Sequence, residues 1–285
     1  MSRPTNRTEA LARLHATIAT NKAILGAGAG IGLSAKCLEA GGADLLILYN
    51  SGRFRMAGRG SLAGLLPYGD ANAILLNMAD EILPIVSNTP VLAGVCGTDP
   101  FRHIPSFLRK LKEMGFCGVQ NFPTVGLYDG NFRINLEETG MGYELEVDMI
   151  REARKLDMLT CPYVFNEDEA RRMALAGADV IVVHLGLTTK GKIGATTAMT
   201  LEAAAERLQS IADVAWSVDR KSMDMDEVIV LVHGGPVAER EDAEFVLDRT
   251  TGVKGFFGAS SLERLPVEVA LEEAAKGFKS LEIKQ

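Results

Sequence analysis

The feature that most constrains the fold is a recurrence. Short β-branched or leucine-rich runs of strand length are each followed by a cluster of Gly, Asn, Ser or His, and then by a helical pattern. Parallel strands need a crossover between them, so this order is how a sheet of βα units reads. Strands are predicted near Ala23–Gly26, Leu45–Tyr49, Val91–Val95, Gly118–Asn121, Leu159–Val164, Val180–His184, Val228–His233 and Gly255–Gly258, eight in all. Helices are predicted over Ile104–Met114, Tyr143–Lys155, Glu167–Ala176, Leu201–Asp213 and Glu239–Asp248, each after a cap or a proline.

An open, doubly wound sheet shows the same alternation, and two observations favour closure. The segment AGGADLLILYNSG from Ala40 resembles LAGADVIVVHLGL from Leu175, with Asp44 matching Asp179. Similar offsets pair Ile24-Leu25 with Met158-Leu159 and Gly118 with Gly255, so four βα units are used twice, as in two half-barrels. GAGAGIG (Gly26–Gly32) does not satisfy G-x-G-x-x-G, and Tyr49 and Asn50 stand where a dinucleotide fold has an acidic residue. Those glycines read as close packing of the first strand against its loop and helix. The expected fold is a (β/α)8 barrel over residues 1–285 as one domain, with residues 1–21 as a helical extension (helix Glu9–Thr20). Long loops follow strands two, four and six: Asn50–Asp70, Phe122–Gly142 and Leu185–Thr200.

With 285 residues, 47% of them hydrophobic, the chain can bury one large core. A net charge of −7 excludes the clustered basic excess that nucleic acid or a membrane surface requires, yet leaves room for a small anionic metabolite. Cys37, Cys96, Cys117 and Cys161 form no CxxC pair, so neither a disulfide framework nor a structural zinc is suggested. The N-terminus lacks the pattern of a signal peptide, and no uncharged apolar stretch reaches the roughly 18 residues of a membrane span. A cytoplasmic protein that associates into a homo-oligomer is expected.

In a βα barrel the strand exits share one site, so they can be collected along the chain. His184 and His233 leave strands six and seven; two histidines at neighbouring exits suit proton transfer, although either alone would serve as a hydrogen-bonded core group. Asn50, with Ser51, and Asn121 end strands two and four, where an amide holds a carboxylate or oxyanion, or else closes an Asx turn. HGGP, with Gly234 and Gly235, and FGASS, with Gly258 and Ser260, resemble a phosphate cradle. Ser260 and Glu263 equally fit an S-x-x-E capping box, as do Asn166 and Glu169. Arg53, Arg55 and Arg59 in one loop and Lys190 and Lys192 in another would gather an anion, with Arg53 and Lys190 as the expected contacts. The loop after strand four offers Thr124 to substrate and Glu137 or Glu138 as a lid-borne base, with Glu138 favoured. Cys96 is a candidate nucleophile near the two histidines, or an inert buried thiol. No lysine stands at a strand exit for Schiff-base chemistry, and Asp99 is the one strand-exit carboxylate, so the residues point to no tight divalent-metal site, while a metal on His184, His233 and one loop carboxylate stays open.

The segments QNFPTVGLYDGNFRINLEETGMGY, VVHLGLTTKG, VHGGP and GFFGASSLERLP together resemble the phosphoenolpyruvate hydrolase-like family of TIM barrels, over nearly the whole chain. The family's distant likeness to the phosphoenolpyruvate mutase and isocitrate lyase superfamily implies a lyase or hydrolase. It would cleave a C–C or C–P bond beside the carbonyl of a small anionic keto acid, as a phosphonopyruvate hydrolase does. The same likeness implies Mg2+ held by strand-end acids; this sequence has Thr98-Asp99 after strand three but Gln120-Asn121 after strand four. The barrel is also similar to the C-terminal part of a plant antiviral resistance protein, which implies the alternative of a ligand-binding or protein-interaction barrel without turnover.

Overall fold

The computed structural model describes residues 2–196, 199–223 and 225–283, and its strands form one parallel sheet. They are β1 (Ile24–Gly28), β2 (Leu45–Leu48), β3 (Val91–Val95), β4 (Gly118–Asn121), β5 (Leu159–Thr160, resumed at Tyr163–Val164), β6 (Val180–His184), β7 (Ile229–His233) and β8 (Gly255–Gly258). The interruption in β5 falls at Cys161-Pro162, where proline has no N–H for the ladder. The first half of β5 pairs with β4 and the second with β6. Across the gap, the Cys161 N–H donates to the Val119 carbonyl (3.0 Å) and the Val182 N–H donates to the Pro162 carbonyl (2.9 Å). One chain segment thus bonds both neighbours, and with β1 lying between β2 and β8 the sheet curls into a ring of eight.

Side chains alternate across each strand. Leu45, Ile47, Val180, Val182, Ile229 and Leu231 fill the inside of the ring, whereas Leu46, Leu48, Ile181, Val183, Val230 and Val232 pack outward against the helices. The expected helices form with ends shifted by one to three residues, for example Glu167–Leu175 and Leu201–Trp216. Among the described residues no helix is long and apolar enough to cross a membrane.

Two of the three long loops are not irregular. After β2 come a helix, Asn50–Met56, and a 3-10 turn, Ser61–Leu65; after β4 come a 3-10 turn, Val125–Leu127, and a helix, Gly130–Glu138. Their glycine content hides them from a pattern search, because side-chain ties to the barrel hold them in place of an apolar stripe. The Asn50 amide, for instance, donates to the Gly64 carbonyl at 2.9 Å. The segment after β6 carries only an isolated bridge, Thr189 to Ala195; Thr197 and Ala198 within it lie outside the described residues.

The internal repeat has a physical basis at the amino end of the ring. Asp44 accepts from the Leu25 N–H (2.8 Å), and Asp179, 135 residues later, accepts from the Thr160 N–H (3.0 Å). Each aspartate thereby clamps the preceding strand, and its own N–H donates back to that strand. The N-terminal helix, Arg7–Ala19, reaches both: Thr17 donates to Asp44 and Arg7 to Asp179, each at 2.8 Å, while Ala10, Leu11 and Leu14 plug the floor of the ring. Asp179 also holds Arg154 (2.9 Å) and the Thr160 hydroxyl. Asp179→Ala leaves Arg7 and the buried Thr160 N–H without their close acceptor and Arg154 with the Gly177 carbonyl alone, and is expected to cost on the order of 3 kcal/mol. Asp44→Ala loses two neutral donors and is expected to cost about 1 kcal/mol. Urea unfolding of the two variants measures the difference.

Candidate active site

The alternation that sends Val180 and Val182 inward sends His184 inward too, and the same parity turns His233 in behind Ile229 and Leu231. The two are register partners on adjacent strands, with ring centroids 4.7 Å apart. His233 Nδ1 lies 2.7 Å from the Phe257 carbonyl, which can only accept, so Nδ1 carries the proton and Nε2 has the lone pair. His184 Nδ1 accepts from the Gly186 N–H at 3.1 Å, so its hydrogen sits on Nε2. Burial drives the His184 pKa well below the ordinary histidine value, assisted by His233. Burial also drives His233 down to about 4; its bond to Phe257 opposes the shift and Arg55 adds to it. At neutral pH the mouth of the barrel thus holds two uncharged imidazoles, one offering an N–H and the other a lone pair.

Arg55 stands beside them, delivered by the helix Asn50–Met56. That helix can lie close to β1 because a Cβ on Gly30 would come within 2.2 Å of the Gly52 carbonyl oxygen, so only glycine permits the approach. Arg55 is 3% exposed. Its Nη2 is 3.5 Å from Glu263, its guanidinium carbon lies 5.4 Å from the Tyr49 ring centre, and its Nε has no partner among the described residues. Glu263 also accepts from the Gly30 N–H at 2.6 Å; burial pushes its carboxyl upward and Arg55 pulls it back. A buried cation with one long ion pair and an idle donor has hydrogen-bonding capacity that its own neighbours leave unused. Arg53, two residues earlier on the same helix, points away and pairs with Glu81 at 2.7 Å.

Arg55, His184, His233, Tyr49, Tyr163, Ser51 and Ser260 line an enclosed cavity of about 30 Å³. That is room for one or two waters. The 3-10 turns Ser61–Leu65 and Val125–Leu127 wall it off from an outer cleft of about 520 Å³, and Tyr128 Oη ties the two turns by donating to the Leu65 carbonyl at 2.7 Å.

The remaining sequence candidates fall elsewhere. Cys96 and Thr124 line the outer cleft, so Cys96 does not join the histidines, and burial pushes its thiol pKa up. Asn121 is a structural bridge, donating to Glu146 (2.6 Å) and accepting from the Tyr163 N–H (2.7 Å). Asn50 and Ser51 hold the turn over the cavity, Ser51 donating to the Ser61 carbonyl at 2.5 Å. Glu138 is exposed and Lys190 is tied to Glu239 and Asp242. Gly235 does not cradle an anion: its N–H donates to the Gly186 carbonyl at 2.7 Å, and a Cβ on Gly234 would come within 2.3 Å of that same oxygen. Both glycines serve the loop crossing from β6. A Cβ on Gly258 would meet Leu262, and Ser260 Oγ lies 3.5 Å from Ser61 Oγ rather than capping a helix. Asn166 does cap its helix through the Glu169 N–H, whereas the Glu169 carboxylate turns to Phe165 and Arg133. Sequence reading missed Glu146, fully buried, which accepts from Asn121, Thr124 and the Val125 N–H. Burial pushes its pKa up to about 8 against those three donors. Its signal was position: the inward turn of an amphipathic helix, four residues past the end of the glycine-rich loop.

A divalent-metal centre does not fit these residues. Asp99 is held by Asn72, the Phe101 N–H and Arg102, which keep it below the usual carboxylate range despite burial. The exit of β4 offers amides, Glu146 and Glu263 are enclosed by their own donors, and among the described residues no carboxylate lines the cavity with the histidine pair. Among the described residues no three His, Cys, Asp or Glu side chains converge to hold an ion.

Known proteins agree with this architecture. A part of the ToMV resistance protein Tm-1(GCR237) of Solanum lycopersicum is 60% identical over 275 residues, which is 96% of this chain and 36% of the tomato protein. The ToMV susceptible protein tm-1(GCR26) of the same plant is also 60% identical, over 95% of this chain and 35% of its own length. The chain thus spans about a third of these relatives. Among solved structures, oxaloacetate acetylhydrolase superposes with a TM-score of 0.59 at 17% identity, covering 99% of this chain and 90% of that one. Phosphonopyruvate hydrolase in complex with oxalate and Mg2+ superposes at 0.58 and 16%, covering 96% and 87%. At such identities the likeness is one of fold. The sequence profile of the phosphoenolpyruvate hydrolase-like family matches residues 9–281, and the chain belongs to that family.

Proposed function

We propose that the protein is a lyase or hydrolase that breaks a C–C or C–P bond beside the carbonyl of a small anionic keto acid, through an enolate held at the mouth of the barrel. The observation that carries this reading is the buried, half-satisfied Arg55 guanidinium beside two neutral imidazoles of opposite hydrogen-bonding sense. The substrate carboxylate lies against the Arg55 fork, which suits planar carboxylates. The carbonyl oxygen accepts from His184 Nε2–H and keeps that bond as it becomes an enolate oxygen, much as a neutral imidazole can polarise a carbonyl. The electron pair of the breaking bond moves into the new C=C bond, and the carbonyl π pair moves to oxygen. The departing phosphoryl or acyl fragment is taken by water in a hydrolase, or leaves as a carbonyl compound when its hydroxyl gives up a proton in a lyase. His233 Nε2 takes the proton lost by that water or hydroxyl and delivers it to the α-carbon as the carbonyl re-forms. An anion bound beside His233 favours its charged form and so raises its pKa toward the working range.

The cavity is too small for a keto acid with its cover closed, so the segment between Gly58 and Gly69 is the lid that opens for entry. The tomato resistance and susceptible proteins are equally similar to this chain, which supports a property common to both rather than one tied to resistance. Their names supply the alternative reading, a binding barrel without turnover. Incubation with a panel of keto acids in D2O separates the two by deuterium at the α-carbon. Tight binding by calorimetry with no exchange across the panel sinks the enzyme reading.

In that assay His233→Ala is expected to slow exchange by on the order of a hundredfold or more. Arg55→Gln is expected to raise KM by roughly tenfold or more, whereas Arg53→Gln stays within a few-fold of wild type. The acidic limb of kcat/KM, which reports the free enzyme, should fall near pH 4 and not near the ordinary histidine value, and Arg55→Gln should move it upward. Folding should follow the same group. Because the folded His233 pKa is depressed, its contribution to stability is present above about pH 6.5 and is lost as pH falls toward 4. His233→Gln flattens that slope in urea titrations across the window.

A further inference from the structure

Each carboxylate around the barrel mouth already has its own donors: Asp99 has Arg102 and Asn72, Glu169 has Arg133, Glu263 has the Gly30 N–H, and Glu146 has three hydrogen-bond donors. Mg2+ keeps several waters but still takes at least one or two carboxylate oxygens besides those of its ligand, and none of the described residues lining the cavity is an Asp or Glu. The cations differ in the opposite way. Arg53, Arg102, Arg133 and Arg264 each hold a carboxylate within 3.0 Å, whereas the Arg55 ion pair is stretched to 3.5 Å and its buried Nε is idle. Positive charge is therefore available in the cavity from a guanidinium, and anionic charge for a metal is not.

We infer that this chain binds its ligand as the free anion, with Arg55 as the charge-bearing contact, and without the divalent ion that accompanies oxalate in the phosphonopyruvate hydrolase structure. The inference rests on the keto-acid reading only in taking oxalate, a planar dicarboxylate, as the probe. Arg55 offers the carboxylate its idle Nε–H, with the loosely held Nη2 beside it, and His184, which carries its hydrogen on Nε2, lines the same cavity. Mg2+ in solution competes with the protein for oxalate instead of bridging them.

Calorimetric titration of oxalate into the EDTA-treated, dialysed full chain, repeated with millimolar Mg2+, tests this. Binding without metal is expected, with an affinity that Mg2+ leaves within about threefold or weakens. Arg55→Gln should weaken it by at least about tenfold, and Arg55→Lys should recover only part, because an ammonium lacks the fork. Should Arg55→Gln fail to fold, the wild-type comparison with and without Mg2+ still decides. Oxalate binding that appears only with Mg2+ overturns the inference and leaves the enolate reading intact, since exchange can then be assayed with the ion present. No oxalate binding in either condition also overturns it. Metal-free binding with no exchange on any keto acid upholds it and sinks the enzyme reading alone.

Discussion

A closed ring of parallel strands leaves every second side chain facing an interior that water barely enters, and the rest of this molecule follows from that constraint. Near the floor the inward positions are Leu, Ile and Val, which need no partner. Near the mouth the same positions are Tyr49, Tyr163, His184 and His233, and each polar atom must find a bond or remain idle at a cost. Protein carbonyls and amides fix the Nδ1 atoms of both histidines, so the imidazole orientations are set before any ligand arrives. Preorganisation of this kind is where catalytic groups gain most over the same groups in water.

How much of this was legible in the sequence depended on the length scale of the cause. Strand alternation is local, and it placed His184 and His233 at neighbouring exits and made them inward-facing. The repeat around Asp44 and Asp179 is a pattern of covalent spacing, and both aspartates clamp a strand at matching positions. That Arg55 and not the expected Arg53 lines the cavity was hidden for a different reason. Both sit in a glycine-rich stretch, and which one faces inward is set by a helix whose position depends on the Gly30 to Gly52 approach, a tertiary contact. Glu138 and Glu146 were confused in the same way: the first ends an exposed helix, and the second lies on the buried turn of the next. Glu263 fitted a capping box by spacing, yet its carboxylate is drawn inward by Arg55 and the Gly30 N–H.

The buried Arg55 and Glu263 pair is poor as a stabilising device. At 3.5 Å and out of water, its attraction repays little of the cost of desolvating two charges. Such a contact persists where the charge has a use, and here it faces the cavity. The better-satisfied ionic network lies at the opposite end of the barrel, around Asp179, so the stabilising ion pairs and the cavity are built at separate ends of the same strands.

The repeat that makes the floor symmetrical is broken at the mouth. Tyr49 stands 135 residues before His184, at the equivalent strand end, and its neighbour on β3 is Gly94, where a Cβ would come within 2.4 Å of the tyrosine Cβ. One half of the barrel thus contributes the Tyr49 phenol, packed over a glycine, to its opening, and the other half a phenol, Tyr163, and two imidazoles. A duplicated frame has become a handed pocket, whose two sides carry different chemistry although the strands that frame them are repeats of one another.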